Sequence, residues 1–367
     1  MRISLTLSTY IGRHFLVSFF ACFGIFLLVV MLFDSIELLR RTSALPNIDF
    51  TDVLEFAFLR LPHLGQKLFP FAILFGGMAA FWRLARTHEL VITRAAGVSA
   101  WQFLLPVLAL AALLGLLHIM VLNPLASTLL TRYERLEATL LKGQSNFLAV
   151  SDAGFWLRQA NSVGQSVVHA GSVFQQGTDV ELTDVVVFVY EGTDNFRERI
   201  DADYAKLEDG FWYMLNARIQ KPEEAPLAFK EYWLETDLTL AKIQDSFAPP
   251  ETMSFWALSD FIKTLEDSGF SALRHKLHLN TLLASPLLMC AMVLIAATFT
   301  LRQNSRRGGT TFIISAGVMT GFLLYFFSDV VYALGLSDSI PVTLAAWTPS
   351  GVATLLGLGM LLHLEDG

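Results

Sequence analysis

Residues 14–33 read HFLVSFFACFGIFLLVVMLF, with no Asp, Glu, Lys or Arg among them. A helix needs about 20 consecutive apolar residues to cross the ~30 Å hydrocarbon core of a bilayer. This stretch therefore predicts a membrane span, and the rest of the chain repeats it. Uncharged apolar runs fill Ala95–Thr131, Leu277–Leu301, Gly308–Ser328 and Ser339–Leu364. Leu68–Trp82 is shorter and spans only if it starts near Leu61, taking in His63, Gln66 and Lys67. The expectation is six spans in two groups of three, both termini on one side and the intervening segment on the other. The first run has no small-residue cleavage site after it and is too long for a signal h-region, so it reads as a retained anchor.

Basic residues in short loops set the orientation. Arg2 and Arg13 precede the first span, Arg83, Arg86 and Arg94 lie between the second and third, and Arg302, Arg306 and Arg307 between the fourth and fifth. The opposite loops hold only Arg40, Arg41 and Arg60. Both termini are thus expected in the cytoplasm, with the large inserted domain outside.

Composition agrees. Apolar residues make up 54% of the chain and charged residues 16%, against roughly 25% charged in soluble domains. The net charge of −7 is uneven: residues 123–275 carry 13 Lys and Arg against 23 Asp and Glu, a balance of −10, so the remainder is +3. The acidity belongs to the inserted domain, and nothing points to nucleic acid. Cys22 and Cys290, the only cysteines, lie inside spans, so disulfides do not hold that domain.

The inserted domain should begin with a helical extension, Leu125–Leu141, after Asn123-Pro124 ends the third span. Short alternating runs follow at Phe155–Arg158, Ser166–Val173, Asp184–Tyr190, Arg199–Lys206, Phe211–Gln220 and Ala228–Leu240, separated by Gly, Asn, Asp or Pro. Such strands suggest a sandwich or open barrel. Their aromatics, among them Phe155, Trp156, Trp212 and Trp233, either fill an ordinary core or line a slot for acyl chains. Phe255–Gly269 reads as an amphipathic helix leading back to the membrane. The domain boundaries expected are 1–141, 142–250 and 251–367.

Three sets of residues are candidates for function. Arg83–Trp101 contains a short helix around Glu89, Leu90, Ile92 and Thr93 that Gly97 would stop. It suits a grip for a peripheral motor subunit, or is a plain turn with stop-transfer arginines. Arg40, Arg41, Arg132 and Arg135 sit beyond the outer ends of spans, and Arg132 and Arg135 share one helix face. Guanidinium groups there suit bidentate capture of phosphate or carboxylate, or merely anchor the interface, with Glu37, Glu134 and Glu137 to neutralise them. Lys67 and Asp329 are ionisable groups within apolar bands. Several chemistries are missing from the sequence: there is no G-x-x-x-x-G-K-[ST], no H-E-x-x-H, no G-x-S-x-G and no Cys/His cluster with metal spacing.

Together these features resemble the lipopolysaccharide export permease family LptF/LptG. The resemblance is carried by Tyr10-Ile11-Gly12-Arg13, Phe33-Asp34-Ser35-Ile36-Glu37-Leu38-Leu39-Arg40-Arg41, Pro70 with Ala72-Ile73-Leu74-Phe75-Gly76, Glu89-Leu90-Val91 with Ala96-Gly97, and the 3+3 layout. The basic pair after the first span is nearer the G branch than the F branch. The resemblance implies a β-jellyroll for the inserted domain and no ATP site in this chain. It also implies a paralogous permease partner, a dimeric cytoplasmic ATPase (LptB), and LptC- and LptA-type jellyroll proteins that bridge to the outer membrane. Arg86, Glu89, Leu90, Arg94 and Gly97 would belong to the coupling helix, near 84–97, that meets the ATPase. Arg40, Arg41, Arg132 and Arg135 would face lipid A phosphates. Asp34 departs from the pattern, which often has a basic residue there. The expected function is lipopolysaccharide extraction from the inner membrane. The alternatives are the F-type subunit, a membrane-bound lipid-modifying enzyme using Asp329 and a histidine, and a structural scaffold.

Overall fold

The computed structural model describes residues 5–42, 50–95, 97, 99–137, 147–151, 154–160, 164–176, 179–191, 195–208, 210–222, 224–236, 239, 243, 248–267, 271–301 and 310–365. The expected basic residues Arg2, Arg302, Arg306 and Arg307, and the end of the expected helix Leu125–Leu141, lie outside them. The chain forms two compact units, one of residues 1–134 and 276–367, the other of residues 135–275.

The first unit is helical: α1 (Leu5–Thr42), α2 (Phe50–Arg86), α3 (Glu89–Ala95), α4 (Ala100–Leu117), α5 (Asn123–Glu137), and later α7 (Leu273–Leu301), α8 (Thr310–Leu336) and α9 (Val342–Glu365). Among the described residues six helical segments are long and apolar enough to cross a membrane: Thr6–Thr42, Thr51–Arg86, Ala100–Glu137, Leu273–Thr300, Ser315–Leu336 and Val342–His363. The short second apolar run is thus carried by a helix that continues through Pro62 and Pro70.

The third span continues as a helix beyond Asn123-Pro124, as the expected helical extension requires; α4 passes through a π-turn, His118–Leu122, straight into α5, and Asn123 N–H donates to His118 O. Pro124 lacks an N–H and would clash with an ordinary turn, and the extra residue of a π-turn absorbs the fault.

Packing of this unit depends on small residues, because lipid gives helices no hydrophobic reason to associate. α1 and α2 meet at Gly76, where a Cβ would stand 2.6 Å from Phe19 Cα. Gly115 of α4 meets Pro286 of α7 at the same 2.6 Å. The core draws on both halves of the chain: Phe15 and Phe19 from α1, Ile73 and Phe81 from α2, Leu104 from α4 and Met289 from α7 are all buried.

The second unit holds the sheet and helix α6 (Phe255–Asp267). Seven strands, β1 (Phe147–Ser151), β2 (Gly154–Ala160), β3 (Gly164–Gln176), β4 (Asp179–Glu191), β5 (Asn195–Glu208), β6 (Phe211–Gln220) and β7 (Leu227–Glu235), pair antiparallel in sequential order. Among the described residues the inserted domain is built on strands, as the sequence predicts, and its sheet is a single meander. A crease crosses it. On β4 the buried apolar residues are Val180 and Leu182, then Val185 and Val187; on β5, Ile200 and Ala202, then Ala205; on β6, Trp212 and Met214, then Ala217 and Ile219. Alternation slips by one residue on each strand at the same level. Two slipped residues have positive φ, Asp184 (+53°) and Asn216 (+54°). Asn216 Nδ2 donates to Asp203 Oδ2 at 2.9 Å along the crease. A slip of one residue normally turns a strand's apolar set to the wrong face. Aligned across neighbouring strands, it instead turns a corner and keeps the same face inward. Phe155 and Trp212 fill that interior, whereas Trp156, Phe211 and Trp233 are exposed.

Candidate functional site

The ends of α1, α2 and α5 come together in the helical unit as a collar of charged and aromatic side chains. Asp34 of α1 accepts from Arg60 Nη1 of α2 at 2.8 Å; Asp34 is 10% exposed and Arg60 31%. The Arg60 guanidinium lies over the Tyr133 ring of α5, 5.6 Å from its centroid, and Tyr133 meets Phe56 edge-on at 5.8 Å. Arg132 Nη2 of α5 donates to Glu55 Oε1 of α2 at 3.0 Å. The three helices are thus cross-linked by side chains 26 and 77 residues apart in sequence.

The arginine pair of α1 is held locally. Arg40 donates from Nε and Nη2 to the two carboxylate oxygens of Glu37, each at 2.9 Å, and Arg41 Nε donates to Glu37 Oε1 at 2.8 Å. These spacings of three and four residues share one helix face. The two arginine side chains remain 77% and 52% exposed, so one carboxylate holds two exposed cations. A phosphate arriving there would compete with Glu37 for both.

At the opposite end of α2 the chain turns through Thr87 and His88 into α3. His88 has φ +58°, and Ile92 N–H donates to His88 O. Gly97 follows α3 at φ +83°, a conformation open to glycine. Ser99 and Gln102 then cap α4 reciprocally: Gln102 N–H donates to Ser99 Oγ at 3.3 Å and Ser99 N–H to Gln102 Oε1 at 3.2 Å. Stops on both sides isolate α3 as a separate short helix. Arg86 stacks on Trp82 at 5.0 Å. The Tyr10 hydroxyl of α1 faces the Glu89 carboxylate, which ties α3 to the first span. Ile92 is 66% exposed.

The sequence profile described as "Lipopolysaccharide export system permease LptF/LptG" matches residues 9–363. The chain belongs to this family. It is similar to the lipopolysaccharide export system permease protein LptG of Haemophilus influenzae (strain ATCC 51907 / DSM 11121 / KW20 / Rd), with 24% identity over 352 residues, 94% of this chain and 95% of the relative. It is also similar to LptG of Escherichia coli K12, with 25% identity over 323 residues, 84% of each. Membership makes this a permease subunit of lipopolysaccharide export, a transport protein and not a lipid-modifying enzyme, and its likeness is to the LptG branch. With six spanning helices it is a multi-pass inner-membrane protein of the Lpt system.

The permease's candidate residues fall in two places. Arg40 and Arg41 end α1, and Arg132 and Arg135 lie three residues apart on α5. Arg86, Glu89 and Gly97 flank or begin α3; Leu90 and Arg94 belong to it, but their side chains lie outside the described set. Of the two groups flagged for depth, Lys67 and Asp329 are both exposed on their helices. Sequence reasoning gave no site role to Asp34, Glu55, Arg60 and Tyr133, which with Arg132 form the collar. Asp34 had a signal: a lone carboxylate at the end of a span needs a cation, and Arg60 is the nearest basic residue after the Arg40-Arg41 pair.

Proposed function

We propose that this chain is the G-type permease subunit of the exporter. It pairs with a paralogous F-type subunit and is driven by a separate dimeric cytoplasmic ATPase that docks on α3. ATP is bound by that partner. Both termini face the cytoplasm, and the creased β domain stands in the periplasm, where it passes lipid on to LptC- and LptA-type jellyroll proteins. Lipopolysaccharide enters beside the collar, where Arg40, Arg41, Arg132 and Arg135 receive its phosphates.

The observation that carries this reading is α3. It is a short helix with a stop on each side, set between two spanning helices, with an exposed apolar side chain at Ile92 and its first residue tied to α1 through Tyr10. An exposed isoleucine on so short a helix suits a protein groove, and the Glu89–Tyr10 contact gives movement of α3 a route into the first span. Supporting the orientation is the bias of eight basic residues to three in the short loops.

Purification in mild detergent tests it. The ATPase and a six-span paralogue should accompany the chain, and Ile92→Asp should release the ATPase while leaving the paralogue bound. Retention of the ATPase by Ile92→Asp would remove α3 as its dock.

A further inference from the structure

α1 and α4 diverge along one side of the helical unit and leave an open groove of about 830 Å³. Its walls are Gly12, Leu16, Val17 and Phe20 from α1 and Pro106, Leu110 and Leu113 from α4, while Ser8, Thr9 and Arg13 gather at one end. The helices touch at Gly12, where a Cβ would come within 2.9 Å of Leu110 Cδ1. Beyond that contact Val17 and Phe20 are each 60% exposed and Leu113 51%.

We propose that this groove binds one anionic phospholipid, with an acyl chain along the apolar walls and the phosphate at Arg13.

Length, polarity and charge each support this occupant. From Ser8 to Phe20 the helix advances about 18 Å at 1.5 Å per residue. Of this, the part from Arg13 to Phe20 is about 10 Å, roughly two thirds of one leaflet of the ~30 Å hydrocarbon core, so the apolar walls take the upper part of an acyl chain. The polar end coincides with the edge of the uncharged run 14–33, where headgroups lie. Arg13 is exposed, and no described residue forms an ion pair or hydrogen bond with it. Among the described residues its charge therefore has no counterpart, and a lipid phosphate supplies one with two acceptor oxygens in the plane a guanidinium prefers. A partner's spanning helix laid in the groove would bring apolar side chains to Arg13 and leave that charge unmatched. The site stands apart from the collar and does not depend on the export reading.

Fluorescence quenching by brominated lipids in nanodiscs, on the complex purified with its partner subunits, decides the matter. Leu113→Trp puts a reporter in the groove, and its signal is taken over that of the unsubstituted complex. Brominated phosphatidylglycerol is expected to quench it at about fivefold lower mole fraction than brominated phosphatidylcholine, the preference one basic residue gives at an anionic surface. Arg13→Gln should abolish that preference while leaving quenching by phosphatidylcholine intact. Equal quenching by the two lipids with Arg13 in place would mean ordinary annular contact and overturn the proposal. Protection from both would mean that a protein helix fills the groove, and would overturn it too. If Leu113→Trp does not assemble, Val17→Trp reports on the same groove with the same outcomes.

Discussion

Arg60 donates to Asp34 across α1 and α2 at 2.8 Å, and the other carboxylate oxygen of Asp34 is buried with no partner among the described residues. The pair is thus half satisfied, and its value lies in what breaking it would leave behind. Removing one member of a shielded pair strands the other charge. Arg60→Ala is expected to destabilise the helical unit by about 1–3 kcal/mol, reduced from the fully buried case because Arg60 keeps water contact. Asp34→Asn combined with Arg60→Gln should cost less than Arg60→Ala alone. Thermal unfolding of the detergent-solubilised variants measures both; equal losses would mean that the pair is ordinary surface charge.

Glu37 holds both Arg40 and Arg41. If those arginines receive lipid phosphate, Glu37 is a competitor, and its removal raises the charge offered. Glu37→Gln is expected to tighten lipopolysaccharide binding, because it frees two exposed guanidinium groups for phosphate. The change should shrink as salt rises. Titration of the purified complex with labelled lipopolysaccharide reads it, and unchanged affinity at low salt would remove Arg40 and Arg41 from the entrance.

Two glycines of similar sequence context should behave in opposite ways. A methyl group at Gly76 would collide with the Phe19 backbone, whereas one at Gly24 meets nothing within 4 Å. Gly76→Ala should cost about 1–3 kcal/mol through forced separation of α1 and α2. Gly24→Ala should be neutral or slightly stabilising. Solubilised yield and thermal stability distinguish them.

Much of the layout was legible because its physics is local. Six apolar runs can be counted without knowing what they touch, and the bilayer's thickness converts a count into a span. The strands were legible only in part, and on β4 the crease explains where. Alternation holds from Asp184 to Tyr190 and fails when extended backward, because the inward positions change from Val185 to Leu182 at the residue with positive φ. The expected strand therefore began at Asp184, five residues after β4 starts at Asp179. Ser166–Val173 crosses the crease and falls short only at the ends of β3, which runs from Gly164 to Gln176. The contacts of the collar were not legible. Arg60 and Asp34 are 26 positions apart, Arg132 and Glu55 are 77 apart, and no periodicity in one dimension brings them together. α3 was legible from Glu89 and Gly97, since a stop signal and a cap are properties of neighbouring residues.

The crease gives its own prediction. Asn216 occupies the left-handed region at φ +54°, which costs a β-branched residue roughly 1–2 kcal/mol more than glycine. Asn216→Val should destabilise the β domain by about that amount, and Asn216→Gly should retain more of the fold despite losing the bond to Asp203. Protease resistance of the domain in the full-length protein reports the order. Val more resistant than Gly would mean that Asn216 is an ordinary strand position.

The orientation proposed for the permease places Thr87 on the cytoplasmic side and Glu224 on the periplasmic side. In intact cells, a membrane-impermeant thiol reagent should label Glu224→Cys and reach Thr87→Cys only after the membrane is opened. The reverse pattern would invert the layout.

The central claim is that this chain handles lipopolysaccharide at the collar, and photo-crosslinking from α5 tests it most directly. A photoreactive residue at position 132 or 135, in membranes containing the assembled exporter, should yield lipopolysaccharide adducts that diminish when ATP is supplied and transport proceeds. Leu355, 71% exposed on α9, serves as the lipid-facing control. Adducts from Leu355 with none from either α5 position would contradict the account and leave Arg132 and Arg135 as interfacial anchors.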